Sequence, residues 1–111
     1  MDTAKAREYF TKAIEDFTKA IQLTPDYAEA YYQRGIAMVS IGNQDEAVQD
    51  FTKVLQLNPK DGRAYLGRGM MHVALKDKSR GEADLKRAVA LGITVPRGLL
   101  DACEALPRAG R

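Results

Sequence analysis

The same ten-residue segment occurs twice in this chain, and the repetition constrains the fold more than any other feature. Residues 16–25 read DFTKAIQLTP and residues 50–59 read DFTKVLQLNP, and we call the offset from Asp16 to Asp50 the repeat period. The same offset relates five further pairs: Ala13/Ala47, Ala30/Ala64, Tyr31/Tyr65, Arg34/Arg68 and Gly35/Gly69. A fixed period of about 34 residues that holds two helical patterns is typical of stacked helix–turn–helix units, which bury their apolar faces only against their neighbours.

Stop signals divide the chain into helices. Residues 3–23 contain neither glycine nor proline and carry one apolar stripe, which predicts a single long helix. The next four helices are predicted over residues 27–41, 43–57, 61–75 and 80–91, with Gly42 and Gly92 ending two of them. Thr94 and Pro96 indicate a last helix, whose apolar stripe consists of Val95, Leu99, Leu100, Cys103 and Leu106.

Helix starts are predicted from capping patterns. An Asp, Asn or Ser followed three residues later by Glu predicts a capping box at Asp26/Glu29, Asn43/Glu46 and Ser79/Glu82. Asp61 is the predicted N-cap of the fourth helix. In that unit Lys76-Asp77-Lys78 stands where the preceding unit has its glycine turn.

The best-preserved unit carries the signature of a known family. Tyr31, Gly35, Ala47, Phe51 and Pro59 stand where the tetratricopeptide repeat (TPR) family usually places Trp, Gly, Ala, an aromatic residue and Pro. The chain therefore resembles that family over residues 8–91. Gly35 and Ala47 are expected to let two helices approach closely, while Tyr31 and Phe51 fill the space between neighbouring pairs.

The resemblance implies an all-α fold, a right-handed α-solenoid of TPR units in one domain covering residues 1–111. Residues 3–25 would be the second helix of an incomplete first repeat, 26–59 a full repeat and 60–93 a full but degenerate repeat. Residues 94–106 would form a capping helix, and residues 107–111 a disordered tail.

Composition narrows the cellular setting. A chain of 111 residues with 45% hydrophobic residues suits one compact domain. Its single cysteine excludes an intrachain disulfide, the N-terminus lacks the apolar core of a signal peptide, and no apolar run is long enough to span a bilayer. We therefore expect a cytoplasmic protein with no membrane partner. Residues 1–59 carry a formal charge of −3 and residues 60–111 one of +5, so the two ends could attract one another head to tail.

Nothing in the sequence favours an enzyme. His72 is expected to pack inside a helix pair, and Cys103 on the apolar stripe of the last helix. We predict no catalytic, cofactor-binding or metal-binding residues. The basic residues Lys76, Lys78, Arg80, Lys86 and Arg87 are interleaved with acidic ones, a pattern that does not favour nucleic-acid binding.

The resemblance implies a concave groove lined by the first helix of each pair. Its predicted lining is Glu29, Tyr32, Gln33, Ile36, Val39 and Ser40, then Arg63, Leu66, Gly67, Met70, Val73 and Ala74. Since most of these residues are apolar and others already supply the core, this second face needs a cover. Gln33, Arg63 and Gly67 stand at the Asn, Lys and Arg positions of the clamp with which some family members hold a C-terminal carboxylate, so we do not expect that mode of binding.

Two functions follow as hypotheses. The leading one is a non-enzymatic scaffold that binds a peptide or helix of a partner protein in the apolar groove. The alternative is a self-assembly module that forms a homodimer. Because the first helix would lack its preceding partner helix, Tyr9, Phe10 and Ile14 would leave an apolar strip for self-association.

Overall fold

The computed structural model describes residues 3–108 of the 111-residue chain and shows six α-helices and no strand in that span. The helices are α1 (Thr3–Leu23), α2 (Ala28–Ser40), α3 (Gln44–Leu57), α4 (Gly62–Ala74), α5 (Lys78–Ala90) and α6 (Arg97–Glu104). The long first helix has the predicted bounds. Of the predicted tail, Pro107 and Arg108 follow α6 outside any helix, and residues 109–111 lie outside the described residues.

The helices are arranged in two layers. Helices that follow one another in the chain pack together, from α1 against α2 to α5 against α6. Helix α2 also contacts α4, and α4 contacts α6. Within residues 3–108, by contrast, α1 and α3 have no Cα atoms within 8 Å of each other, and neither do α3 and α5. Because neighbours approach more closely in the α2–α4–α6 layer, the stack curves around that side. The fold is an all-α helical repeat solenoid, with α2, α4 and α6 on its concave face.

Phe51 occupies the centre of the core. Its side chain is fully buried, and its ring lies between two glycines of the inner layer. A Cβ atom on Gly35 would come within 2.9 Å of the ring, and one on Gly67 within 2.8 Å. The predicted close approach at Gly35 is therefore confirmed, because any larger residue there would collide with Phe51. Leu85 of α5 takes the equivalent place against Gly69.

Three helices end in a left-handed residue. Gly42 and Gly92 have φ of +84° and +87°, which confirms the predicted stops. At the end of α4 the same position is taken by Lys76, with φ of +64°. Its amide donates to the carbonyl of Val73 at 3.0 Å, and the amide of Asp77 donates to that of His72 at 2.8 Å. Lys76 thus makes the turn that glycine makes elsewhere, although a Cβ atom disfavours this conformation.

Two helix starts are capped by aspartate. The Asp61 side chain accepts from the amides of Arg63 and Ala64, as predicted for the N-cap of α4. Asp77 caps α5 by accepting from the amide of Arg80. The capping box predicted at Ser79/Glu82 is therefore wrong, because α5 begins at Lys78 and Ser79 already lies inside it.

The other two predicted capping boxes are also wrong. Tyr27, and not Asp26, occupies the N-cap of α2, so the Asp26 carboxylate stands one residue too early to reach the free amides. Asn43 does occupy the N-cap of α3, but its side chain makes no capping bond. Instead, Asn43 Nδ2 donates to Glu46 Oε2 at 3.0 Å.

A polar link ties the first three helices together. Arg34 in α2 donates to both carboxylate oxygens of Asp50 in α3, from Nε at 2.9 Å and from Nη2 at 2.7 Å. The remaining nitrogen, Nη1, donates to the hydroxyl of Thr18 in α1 at 3.2 Å. Asp50 is only 4% exposed, so its charge is balanced by a fork-shaped donor that fits both oxygens. The hydrogen bonds to Asp50 raise the pKa of Arg34.

The same link recurs one repeat period later. Arg68 in α4 donates to the two oxygens of Asp84 in α5 at 2.8 and 2.9 Å, and to the hydroxyl of Thr52 in α3 at 3.3 Å. Asp84 is 5% exposed. We call each set a Thr–Arg–Asp link. Each link joins an inner helix to the two outer helices that flank it, so it fixes the position of one unit on the next.

Candidate partner-binding groove

The inner face of α2 and α4 presents two exposed large apolar side chains. Ile36 is 38% exposed and Met70 is 39% exposed, while the predicted lining residues Tyr32, Val39, Leu66 and Val73 are half-buried. Ser40 and Ala74 are exposed in the last turn of their helices. The face therefore offers a run of partly covered apolar surface across the two helices.

A polar cluster closes the N-terminal end of this face. The guanidinium of Arg63 lies 4.1 Å from the centre of the Tyr32 ring, a cation–π contact. Arg63 Nη2 donates to Glu29 Oε1 at 3.0 Å and to Asp61 Oδ2 at 3.2 Å. Gln33 Nε2 donates to the second oxygen of Glu29 at 2.9 Å.

The charges of this cluster are paired with one another. The hydrogen bonds from Gln33 and then Arg63 hold the pKa of Glu29 below its usual range, and the bonds to Asp61 and Glu29 raise the pKa of Arg63. Burial raises the pKa of Tyr32. Since Arg63 is already paired with two carboxylates, a ligand carboxylate would have to displace one of them to bind it.

Gly67 belongs to the core and not to the groove lining. It is buried against Phe51, and a side chain there would collide with the ring of Phe51. The predicted lining is therefore wrong at Gly67. The same contact explains why no arginine can stand at this position of a carboxylate clamp while Phe51 fills the core.

His72 and Cys103, the histidine and the cysteine of the chain, are both engaged in packing. His72 lies between α4 and α5 with its Nε2 3.7 Å from Asp84 Oδ2, and burial lowers its pKa. Cys103 is buried, its thiol donates weakly to the carbonyl of Lys78 at 3.8 Å, and burial raises its pKa. Within residues 3–108, no group of His, Cys, Asp and Glu side chains could hold a metal ion.

The residues predicted for self-association differ in exposure. Tyr9 is 64% exposed, while Phe10 and Ile14 are half-buried against the rest of the chain. The Tyr9 and Phe10 rings pack edge to face, with centroids 5.2 Å apart. Within the described residues α1 packs only against α2, so its other side is open.

Three of the five residues of the basic cluster contact other groups of the chain. Arg80 pairs with Asp77 at 3.2 Å, and Lys78 Nζ donates to the carbonyl of Glu104 at 2.7 Å. The Arg87 guanidinium lies 5.9 Å from the centre of the Tyr65 ring.

Sequence reasoning missed a pocket of about 250 Å³ between α5 and α6. Its lining is Glu82, Leu85, Lys86, Val89, Leu100, Cys103 and Glu104. The apolar stripe of α6 was visible in the sequence, but the gap that α6 leaves beside α5 depends on packing that no pattern encodes. Along residues 3–108 we also find no helix with the length and apolarity that crossing a membrane requires.

The paired helices, the repeat period and the inner face define a protein of the helical-repeat class. Two family models agree: one described as TPR repeat matches residues 5–42, and one described as tetratricopeptide repeat matches residues 28–61. The chain belongs to the tetratricopeptide repeat family. Such repeats generally mediate protein–protein interactions, and proteins built from them are generally non-catalytic scaffolds. A search of curated proteins finds no match.

Proposed function

We propose that this module is a scaffold that binds an extended or helical segment of a partner protein across the inner face of α2 and α4. The observation that carries the proposal is the exposure of Ile36 and Met70 on adjacent inner helices. Apolar side chains held open on a curved face favour a partner that brings apolar side chains of its own.

The polar cluster gives the face a direction. The Arg63–Glu29 pair lies at one end of the face, beside Tyr32, and Ile36 and Met70 follow toward the other. Because the pair is neutralised internally, the preferred segment places apolar residues on Ile36 and Met70 and polar, uncharged groups beside Arg63. The proposal places the module in the cytoplasm, in keeping with its single, unpaired cysteine.

Selection from a displayed peptide library tests the proposal without a known partner. Peptides selected on the wild-type chain should bind the Met70→Glu and Tyr32→Ala variants at least ten-fold more weakly, with helical content by circular dichroism unchanged. Leu75→Glu is the matched control, because Leu75 is also 39% exposed and lies just after the same helix. Peptides that bind all variants equally would contradict the groove assignment.

Self-assembly is the second candidate, and the exposure of Tyr9 favours it. In that arrangement Tyr9, Phe10 and Ile14 of two copies would pack together around a two-fold axis. Light scattering over a concentration series would then show a dimer that Phe10→Glu converts to monomer. A wild-type chain that stays monomeric at high concentration would exclude self-assembly and would not affect the proposal of partner binding.

A further inference from the structure

Helix α1 carries a partly uncovered copy of a residue pattern that α3 buries completely. Ala13, Asp16, Phe17 and Ala20 stand one repeat period before Ala47, Asp50, Phe51 and Val54, all of which are buried in α3. In α1 none of the four is fully buried: Asp16 is exposed, and Ala13, Phe17 and Ala20 are half-buried. We call these four residues the α1 docking face.

Helix α2 covers part of this face and leaves Asp16 open, because its polar contacts with α1 lie at other residues. Arg34 reaches α1 at Thr18, and Arg7 Nη1 donates to the carbonyl of Ile41 at 3.3 Å. No side chain among residues 3–108 pairs with Asp16, whereas its counterparts Asp50 and Asp84 each accept two hydrogen bonds from an arginine. Among the three equivalent aspartates Asp16, Asp50 and Asp84, Asp16 is thus the one that binds no arginine from residues 3–108.

The interior shows which chemistry covers such a face. Over α3, Arg34 binds both oxygens of Asp50, while Gly35 next to it lets the Phe51 ring approach. Tyr31, one turn earlier, lies under the guanidinium with 5.6 Å between the Arg34 carbon and the ring centre. The covering helix therefore reads Tyr-x-x-Arg-Gly.

The second interior copy repeats this arrangement. Over α5, Arg68 binds Asp84, Gly69 lets Leu85 approach, and Tyr65 lies 5.6 Å below the Arg68 guanidinium. Two independent copies within one chain thus use the same three residue types for the same contacts.

We propose that the α1 docking face binds a helix of a partner protein that carries an arginine followed directly by glycine or another small residue. The arginine forms a two-pronged ion pair with Asp16, and the small residue receives the Phe17 ring. Charge complementarity selects the arginine, since Asp16 is exposed and stands where Asp50 and Asp84 each bind an arginine through both carboxylate oxygens.

A second copy of this chain supplies a poorer cover. Its inner helices α2 and α4 already use their arginines on Asp50 and Asp84. Its last inner helix, α6, places Leu99, Ala102 and Cys103 where α4 has Tyr65, Arg68 and Gly69, so in the same register it brings no arginine to Asp16. The Arg97-Gly98 pair of α6 stands at the very start of the helix, where no preceding turn can carry a tyrosine, and Arg97 Nε lies 3.5 Å from Asp101 Oδ1. The charge of Asp16 therefore favours a different protein over a second copy.

A peptide with the sequence of residues 24–43 is a ready probe, because it contains the Tyr-x-x-Arg-Gly pattern in a segment that is helical here. Fluorescence anisotropy should show saturable binding of the labelled peptide to the full chain. Asp16→Lys should weaken binding at least ten-fold, and so should Arg34→Gln in the peptide. Glu15→Lys is the matched control, since it makes the same charge change on the neighbouring exposed residue and should have less than a three-fold effect.

A charge swap separates docking from other modes. The Asp16→Arg chain should regain affinity for a peptide that carries Arg34→Asp, and circular dichroism should show the same helical content in every variant. A peptide that displaces α2, or that binds the inner face, would ignore the charge at residue 16, and that result would overturn the proposal. Absence of saturable binding, or a homodimer that Asp16→Lys dissociates, would also overturn it.

Discussion

Truncation of Phe51 to alanine should destabilise the chain more than any other single truncation in the core. The ring is fully buried and its neighbours on both sides are Gly35 and Gly67, which have no side chains that could move into the space it leaves. Since the cost of such a change rises with the volume that stays empty, we expect a loss of about 4 to 5 kcal/mol. A domain of this size has a total stability of about 5 to 15 kcal/mol, so the variant should lie close to unfolding at room temperature.

The assay is urea unfolding followed by circular dichroism at 222 nm. Phe17→Ala is the matched control, because Phe17 occupies the same place one repeat earlier but is only half-buried. It should cost less than half as much, about 1 to 2 kcal/mol, because part of its ring is already in water. A loss below about 1.5 kcal/mol for Phe51→Ala, or equal losses for the two variants, would show that the glycine-lined cavity collapses and that the reasoning is wrong.

Three further predictions concern a turn, a titrating group and a polar link. Lys76→Gly should raise the free energy of unfolding by about 1 kcal/mol, because glycine adopts the left-handed turn without strain, whereas Lys78→Gly at the start of α5 should lower it. Burial holds the pKa of His72 below 6.5, so as the pH falls through 6.5 the unfolded state binds a proton before the folded state does and the free energy of unfolding falls. The thermal midpoint of His72→Gln should therefore drop less between pH 7.5 and 5.5 than that of the wild type, and equal drops would contradict this. Arg68→Met leaves the buried carboxylate of Asp84 without its partner and should lower the free energy of unfolding in urea by about 3 kcal/mol. A second change, Asp84→Leu, should restore most of that loss, and equal stability of the single and double variants would refute the prediction.

Apolar stripes and stop signals in the sequence predict the helices, and the resemblance to the TPR family predicts the centre of the core. The resemblance assigns Gly35 to close helix approach and Phe51 to the space between helix pairs, and the structure brings the two residues together. The reason is that each unit meets the same neighbours as the next, so a residue that recurs once per period recurs in the same environment. Gly67 has no such counterpart, since Gln33 stands one period before it, and its burial could not be inferred from the period.

Helix caps were predicted less well because a capping bond depends on the residue at which the chain turns. Asp26 and Ser79 each lie near a helix start, but a shift of one or two residues removes the side chain from the free amides. The register held a better signal. Asp77 stands one period after Asn43, so the N-cap position of one unit points to that of the next.

The Thr–Arg–Asp links were also present in the register and were not recognised as pairs. Arg34 and Arg68 are related by the repeat period, and so are Asp50 and Asp84. What the sequence does not contain is the way two helices lie against each other, which brings residues 16 positions apart into contact. Only the packed structure shows that the two series meet.

Each Thr–Arg–Asp link uses three consecutive helices and the same sequence offsets, so both links connect neighbouring units in the same way. A duplicate of residues 26–59 placed directly after Pro59 would arrive with its own arginine, aspartate and threonine at the same offsets. Both new junctions would then repeat the Thr–Arg–Asp link, but the first would place Gln33 of the duplicate where Gly67 meets the Phe51 ring, so that glutamine would have to become glycine. With that one change, the solenoid can be lengthened by tandem duplication of this repeat, because each added unit brings the residues that link it to its neighbours.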